Sequence, residues 1–198
     1  NNEMVNRFVI GTAQTRKARI NIIHALLSHT DTKEFYEGSS QEASIYRALF
    51  CVLNIVNSSP DDNIKDMLQE INCFLDSCSD TKVLMSELII QLTSAPYGMR
   101  LGLIPFYLAY VLANRREDII VYFSDKEVQL TADIIVNMCK QPEDYAIYIS
   151  KEDLQKEKYI RELNILFQVE DNRNLSANRI KNIFICMQRW FRALPQAS

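Results

Sequence analysis

The sequence has few glycines and histidines and lacks the motifs by which many enzymes bind nucleotides or metals. Its 198 residues include four glycines and two histidines, and the glycines form neither a GxxxxGKS/T nor a GxGxxG loop. HExxH, GxSxG and any suggestive cysteine–histidine spacing are also absent. We therefore expect no catalytic residue, no cofactor and no metal ligand in this chain.

The cysteine pattern argues against a disulfide or zinc framework. The cysteines are odd in number, lack a CxxC pair and each lie in an apolar helical pattern, which predicts small core residues in a reducing compartment. They are Cys51, Cys73, Cys78, Cys139 and Cys186.

Long apolar runs are missing as well. No run reaches the roughly 20 residues of a membrane span, and the N-terminus lacks the apolar region of a signal peptide. We therefore expect a cytoplasmic protein without a membrane partner. Neither end has a recognisable terminal feature, which suggests a piece of a longer protein.

Composition and charge predict an ordinary folded protein. Hydrophobic residues make up 47 % of the chain and charged residues 24 %, as in globular domains, and the length allows one domain or two small ones. The formal net charge is −3, so the chain lacks the overall basic charge of a dedicated nucleic-acid binder.

The middle of the chain has the order of elements found in a winged helix. Residues 81–94 have a helical apolar pattern that includes Leu84, and Pro96 and Gly98 end that helix. A second helix follows over residues 103–115, because proline is tolerated in a first helical turn.

A predicted hairpin then completes this unit. Residues 118–123 are β-branched or aromatic, residues 124–126 favour a turn, and residues 127–130 alternate in polarity. Residues 145–149 have strong β propensity and are expected to add a third strand to the wing. The predicted fold is mainly α, a helical bundle with a winged-helix unit.

The second helix does not have the surface of a recognition helix. Such a helix presents exposed basic and amide side chains to the major groove, whereas residues 103–113 are apolar or aromatic on every side, which is typical of a buried helix. We therefore predict that Leu108 and Val111 are core positions.

The segments before this unit are predicted to be helical. A basic cluster of Arg16, Lys17 and Arg19 begins the first helix; it suits a solvated face, with contact to phosphate or an acidic partner as the alternative. Ser39 with Glu42 has the spacing of a capping box. It predicts a helix whose core side includes Ile45, Leu49, Val52, Leu53 and Val56.

The last helix is predicted over residues 177–194, with most of its large apolar residues on the core side. These are Ile180, Ile183, Phe184, Met187 and Phe191. We divide the chain into an N-terminal helical part (1–80), a winged-helix-like unit (81–150) and C-terminal helices that pack on the same body (151–198).

Four short segments of the sequence carry a family resemblance: PYGMRLGLIP (96–105) with the helix and hairpin after it, MVNR (4–7), EASIYR (42–47) and WFRALP (190–195). They resemble patches of very large bacterial P-loop ATPases of phage-defence systems, the BREX ATPases among them. The resemblance implies a non-catalytic helical and winged-helix part of such a protein, with the ATPase site outside this chain.

Two functions remain open from the sequence. The first is an interaction or regulatory module whose partners are other domains or subunits of a larger ATPase assembly in antiviral defence. The second is a DNA-binding module that contacts phosphates through the wing. Its candidate residues are Arg100, Arg115, Arg116 and Lys126, with Arg179, Lys181, Arg189 and Arg192 of the last helix as further candidates.

Overall fold

A computed structural model describes residues 12–28, 32–53, 55, 60, 62–79, 81–115, 119–149, 154–167 and 176–193. The helices are α1 (Ala13–Leu27), α2 (Lys33–Glu37), α3 (Gln41–Tyr46), α4 (Asp62–Ser77), α5 (Met85–Thr93), α6 (Ile104–Asn114), α7 (Ala132–Lys140), α8 (Leu154–Leu166) and α9 (Ser176–Ala193). The strands are β1 (Val83–Leu84), β2 (Ile119–Phe123), β3 (Lys126–Val128) and β4 (Tyr145–Ile149).

Helix α6 is the central element of the core. It packs against α1, α4 and α7, and nine of its eleven residues are buried, as expected for a helix that is apolar on every side. Leu108 and Val111 are both buried, so their prediction as core positions is confirmed. Pro105 lies in the first turn, where it removes no hydrogen bond of the helix.

Strands β2 and β3 form the predicted hairpin. Val121 pairs with Val128 and Phe123 with Lys126, which leaves Ser124 and Asp125 as the two-residue turn. Both turn residues have positive φ, 46° and 64°, the conformation of a type I′ turn, whose twist matches that of the flanking strands.

Strand β4 joins this hairpin to β1. It pairs antiparallel with β2 on one side and with β1 on the other, which gives the sheet order β1-β4-β2-β3. Tyr145, Ile147 and Ile149 alternate inward into the core. The predicted third strand is confirmed, and the fold is mainly helical with a small four-stranded antiparallel sheet.

The helix predicted over residues 81–94 is wrong at its start. Val83 and Leu84 are extended and pair with Ile147 and Ala146 of β4, and α5 begins only at Met85. Leu84, predicted on the apolar side of the helix, is exposed. Pairing with a distant strand therefore overrides the helical pattern at this point.

The helix predicted after Ser39 is interrupted by a π-helical turn, residues Arg47–Cys51. In a π helix each hydrogen bond joins residues five apart, instead of the four of an α-helix. This spacing continues past the turn, because Val52 N–H donates to Arg47 O and Ile55 N–H donates to Phe50 O, each at 2.9 Å. A π turn rotates the residues after it relative to an α-helical pattern. Val52 is consequently exposed, whereas Phe50 and Ile55 are buried, so the predicted core position of Val52 is wrong.

The apolar core is one cluster in the described residues. It extends from Ala18 in α1 to Ile149 in β4 and includes residues on both sides of the predicted boundary after residue 80. The described residues of α8 and α9 are not members of this cluster. Within the described ranges, no helix is both long enough and apolar enough to cross a membrane.

Candidate interaction surface

The C-terminal helices expose an unusual share of large apolar side chains. Of the twelve such side chains found exposed in the described residues, eight lie in α8 and α9. Scattered exposed apolar residues are normal on any protein, but a concentration of them marks an interaction surface. The eight are Tyr159, Ile165, Leu166, Ile180, Phe184, Met187, Trp190 and Phe191.

Helix α9 packs against α8 through one of its sides. Ile183 is buried, and the Trp190 ring meets Phe167, directly after α8, edge to face with centroids 6.0 Å apart. Ile183 and Trp190 are seven residues apart and so lie on the same side of α9. This side of α9 therefore contacts α8, and these two consecutive helices are here called the α8–α9 hairpin.

A second side of α9 is apolar and exposed. Ile180, Phe184, Met187 and Phe191, here called the α9 stripe, follow one another at spacings of four, three and four residues, the seam spacing of a coiled coil. All four are exposed, Phe191 by 72 %. Their prediction as core residues is therefore wrong, and of the five predicted positions Ile183 is the buried one.

The charge of α9 is opposite to that of the rest of the chain. The helix contains Arg179, Lys181, Arg189 and Arg192 and no acidic residue. Since the whole chain carries a formal charge of −3 and α9 contributes +4, the remainder carries −7. An exposed apolar stripe on a wholly basic helix is typical of a surface that meets an anionic partner.

The residues predicted to contact DNA lie on different elements, and one of them is engaged within the fold. Arg115 Nη2 donates to Asp76 Oδ1 and Nη1 to Asn72 O, which holds this side chain against α4. Arg100 is exposed in the loop before α6, and Lys126 is exposed on β3. Arg116 lies outside the described residues.

The tip of the hairpin carries charges of both signs. Lys82 lies 3.6 Å from Asp125 and 3.7 Å from the centre of the Tyr122 ring, a cation–π contact. Glu127 follows Lys126 directly in β3. The hairpin therefore lacks the purely basic surface that binds phosphates best.

The N-terminal basic cluster is divided between solvent and core. Arg16 and Lys17 are exposed, but Arg19 is only 4 % exposed, and its Nε and Nη1 atoms are buried without a hydrogen-bond partner. Burial lowers the pKa of Arg19, and the nearby Cys139 acts in the opposite direction. The prediction that the basic cluster lies on a solvated face is therefore wrong for Arg19, because this residue lies on the side of α1 near Cys139 of α7.

The cysteines differ in their surroundings. Cys78 and Cys139 are buried, and burial raises the pKa of their thiols to about 11 and about 12. Cys73 is exposed, so its prediction as a core residue is wrong. Among the described residues, no group of three or more His, Cys, Asp or Glu side chains is arranged to hold a metal ion.

Comparison of the chain with protein-family profiles, curated proteins and solved structures gives no match.

Proposed function

We propose that this chain is a non-catalytic interaction module that docks to a partner through the hairpin of α8 and α9. The observation that carries the proposal is the exposed apolar surface of these helices. Elsewhere the fold buries its apolar residues well, since the core cluster includes almost every large apolar residue of α1, α6 and α7. Because the core is packed so fully, the exposed apolar residues on these two helices indicate an interaction surface.

The size of this surface fits a protein–protein contact. A large aromatic side chain has about 150–250 Å² of surface, and the eight side chains in α8 and α9 are between 40 % and 78 % exposed. Together they expose on the order of 800–1,000 Å² over the two helices, and a standard interface takes ~800 Å² from each partner. The four residues of the α9 stripe supply roughly half of this exposed area, and Ile165 lies on another side, about 160° around α8 from Phe167.

The sequence resemblance supports other domains or subunits of a large phage-defence ATPase as the partners of this chain, with the nucleotide site outside it. For the middle of the chain we propose a winged-helix unit in which β4 extends the hairpin. The order α5, α6, β2, β3 supports this unit, as does the position of β4 beside β2.

DNA binding through the wing has less support. Arg115 is tied to Asp76, Lys82 is paired with Asp125 at the hairpin tip, and acidic residues flank Lys126 on both sides. Each of these features reduces the positive potential that phosphate contacts require.

The test of the proposal is a double substitution in the surface, Phe184→Gln with Phe191→Gln. Because both side chains are mostly exposed, we expect a change in the free energy of unfolding of less than about 1 kcal/mol. Binding of a fluorescent apolar dye should fall, since two of the four apolar side chains of the α9 stripe have been replaced. Thermal denaturation followed by circular dichroism and dye titration measure the two effects.

The matched control is Val52→Gln with Ile90→Gln, which changes two exposed apolar residues on other elements. It should leave dye binding nearly unchanged, because isolated residues form no surface. Unfolding of the α8–α9 hairpin by the Phe184 and Phe191 changes would show that these side chains belong to the interior, and the proposed docking surface would then be wrong.

A further inference from the structure

We propose that the partner on the α9 stripe is an acidic amphipathic helix of another polypeptide, which packs along α9 as in a coiled coil. The inference rests on the proposed function and adds the chemistry of the partner. It follows from two independent properties of α9, the width of the exposed stripe and the net positive charge of the helix.

The stripe is narrow. With 3.6 residues per turn, its four members fall within about 60° around the helix axis, narrower than the 100° or more of a helix that buries a broad face. On the far side from α8, the stripe is followed by the exposed residue Gln188. A strip of this width fits the seam between two helices, in which residues at alternating spacings of three and four interlock with a facing helix.

A membrane surface fits this geometry less well. A helix that lies in a bilayer interface immerses a broad apolar face by several ångströms. Ile183, which would widen the apolar face of α9, is buried, and the ring of Trp190, although 56 % exposed, contacts Phe167 at the end of α8. The apolar face of α9 that is free of such contacts is mainly the stripe.

The charge of α9 argues against a second copy of the same helix. Two copies side by side would bring together two helices that each carry a charge of +4, with no acidic residue on either helix to offset it. Like charges across an interface disfavour pairing, and the charges flanking a coiled-coil seam set the choice of partner. A partner helix with Glu or Asp beside its apolar seam reverses this interaction from repulsive to attractive.

The experiment uses two designed peptides of about four heptads, both with Leu at the a and d positions. One peptide has Glu at every e and g position and the other has Lys there, so that only the sign of the charge differs and neither pairs with itself. Fluorescence anisotropy of each labelled peptide is measured against the full chain at low and moderate salt.

We expect the acidic peptide to bind at least about tenfold more tightly than the basic peptide. The difference should shrink as salt rises, because exposed charges are screened. Phe184→Gln with Phe191→Gln should weaken the acidic peptide by about tenfold or more, whereas the control Val52→Gln with Ile90→Gln should bind as the parent does.

A charge-reversal variant tests specificity directly. Changing Arg179, Lys181, Arg189 and Arg192 to Glu turns the +4 of α9 into −4 while keeping good helix formers. We expect its preference to switch to the basic peptide.

Three results would overturn the inference while leaving the docking surface in place. The first is equal binding of the two peptides by the parent chain. The second is self-association in sedimentation that Phe184→Gln with Phe191→Gln abolishes, which would identify a second copy. The third is flotation with phosphatidylserine vesicles that depends on the same residues, which would identify a lipid surface. Failure of the proposed function itself would instead appear as unfolding of the hairpin.

Discussion

Replacing Leu108 by Asp is the sharpest test of the fold, because this residue lies at the centre of α6. Its side chain is 0 % exposed and belongs to the single core cluster. Truncation to Ala at such a site costs about 2–5 kcal/mol through lost burial and the cavity that remains. Asp loses the same apolar contacts and also places an unpaired carboxyl group in the core, which adds several kcal/mol.

The total is comparable to the whole stability of a typical domain, about 5–15 kcal/mol. Since α6 packs against α1, α4 and α7, we expect Leu108→Asp to unfold the shared core rather than only the hairpin region. Leu108→Ala should remain folded but melt about 5–15 °C lower, given the roughly 2–4 °C per kcal/mol expected for a chain of this length.

The assay is thermal and urea denaturation followed by circular dichroism and by tyrosine fluorescence. Ile90→Asp is the matched control, because Ile90 lies on α5 and is 63 % exposed; its effect should stay near 0.5 kcal/mol. A Leu108→Asp variant that is folded and melts with the parent would refute the central position of α6.

Two further predictions concern the thiols and Gly98. In the folded protein at pH 8, the exposed Cys73 should react with iodoacetamide much faster than the buried Cys78 and Cys139. The reason is that burial raises the pKa of these two thiols to about 11 and about 12, so that little thiolate forms. Peptide mass spectrometry measures the rates, and equal rates would contradict the burial of Cys78 and Cys139. Because folding raises the pKa of these two thiols, their contribution to the free energy of unfolding is fully present below about pH 9. It is lost as the pH rises toward 11–12, where the buried thiols ionise. Gly98→Ala should lower the free energy of unfolding by about 1 kcal/mol, because the backbone φ of +56° is strained for any residue with a Cβ. A methyl group at this position meets no atom within 4 Å, so backbone strain is the only cost. Urea denaturation measures the change, and a loss of 3 kcal/mol or more would indicate a steric clash instead.

Local chemistry was sufficient to predict several elements of this fold. The apolar residues on every side of α6 left burial as its only favourable environment. A β-branched strand, three residues that favour a turn and a second strand specified the hairpin, although Lys126 belongs to β3. At the start of α7, the Thr131 hydroxyl caps the helix by accepting a hydrogen bond from Ile134 N–H. These features depend on neighbours within a few residues.

The N-terminal cap of α3 shows that local sequence rules can place the start of a helix one residue away from its true position. The helix predicted to begin after Ser39 is capped by Ser40 instead, whose hydroxyl accepts from Ala43 N–H at 3.1 Å. Glu42, predicted to complete the capping box, accepts a hydrogen bond from Asn21 of α1. Two adjacent serines offer the same cap, and contact with α1 favours the register that the structure shows.

The remaining differences required the tertiary structure, because they depend on residues that are distant in sequence. Val83 and Leu84 become a strand only because β4 lies beside them, and the π turn at Arg47–Cys51 moves Val52 out of the core. The α9 stripe has the periodicity of a buried face, so the sequence alone determined that it is apolar and lies on one side of a helix. Whether this side meets the core or the solvent depends on which side of α9 packs against α8, and that choice exposes the residues that we propose bind a partner.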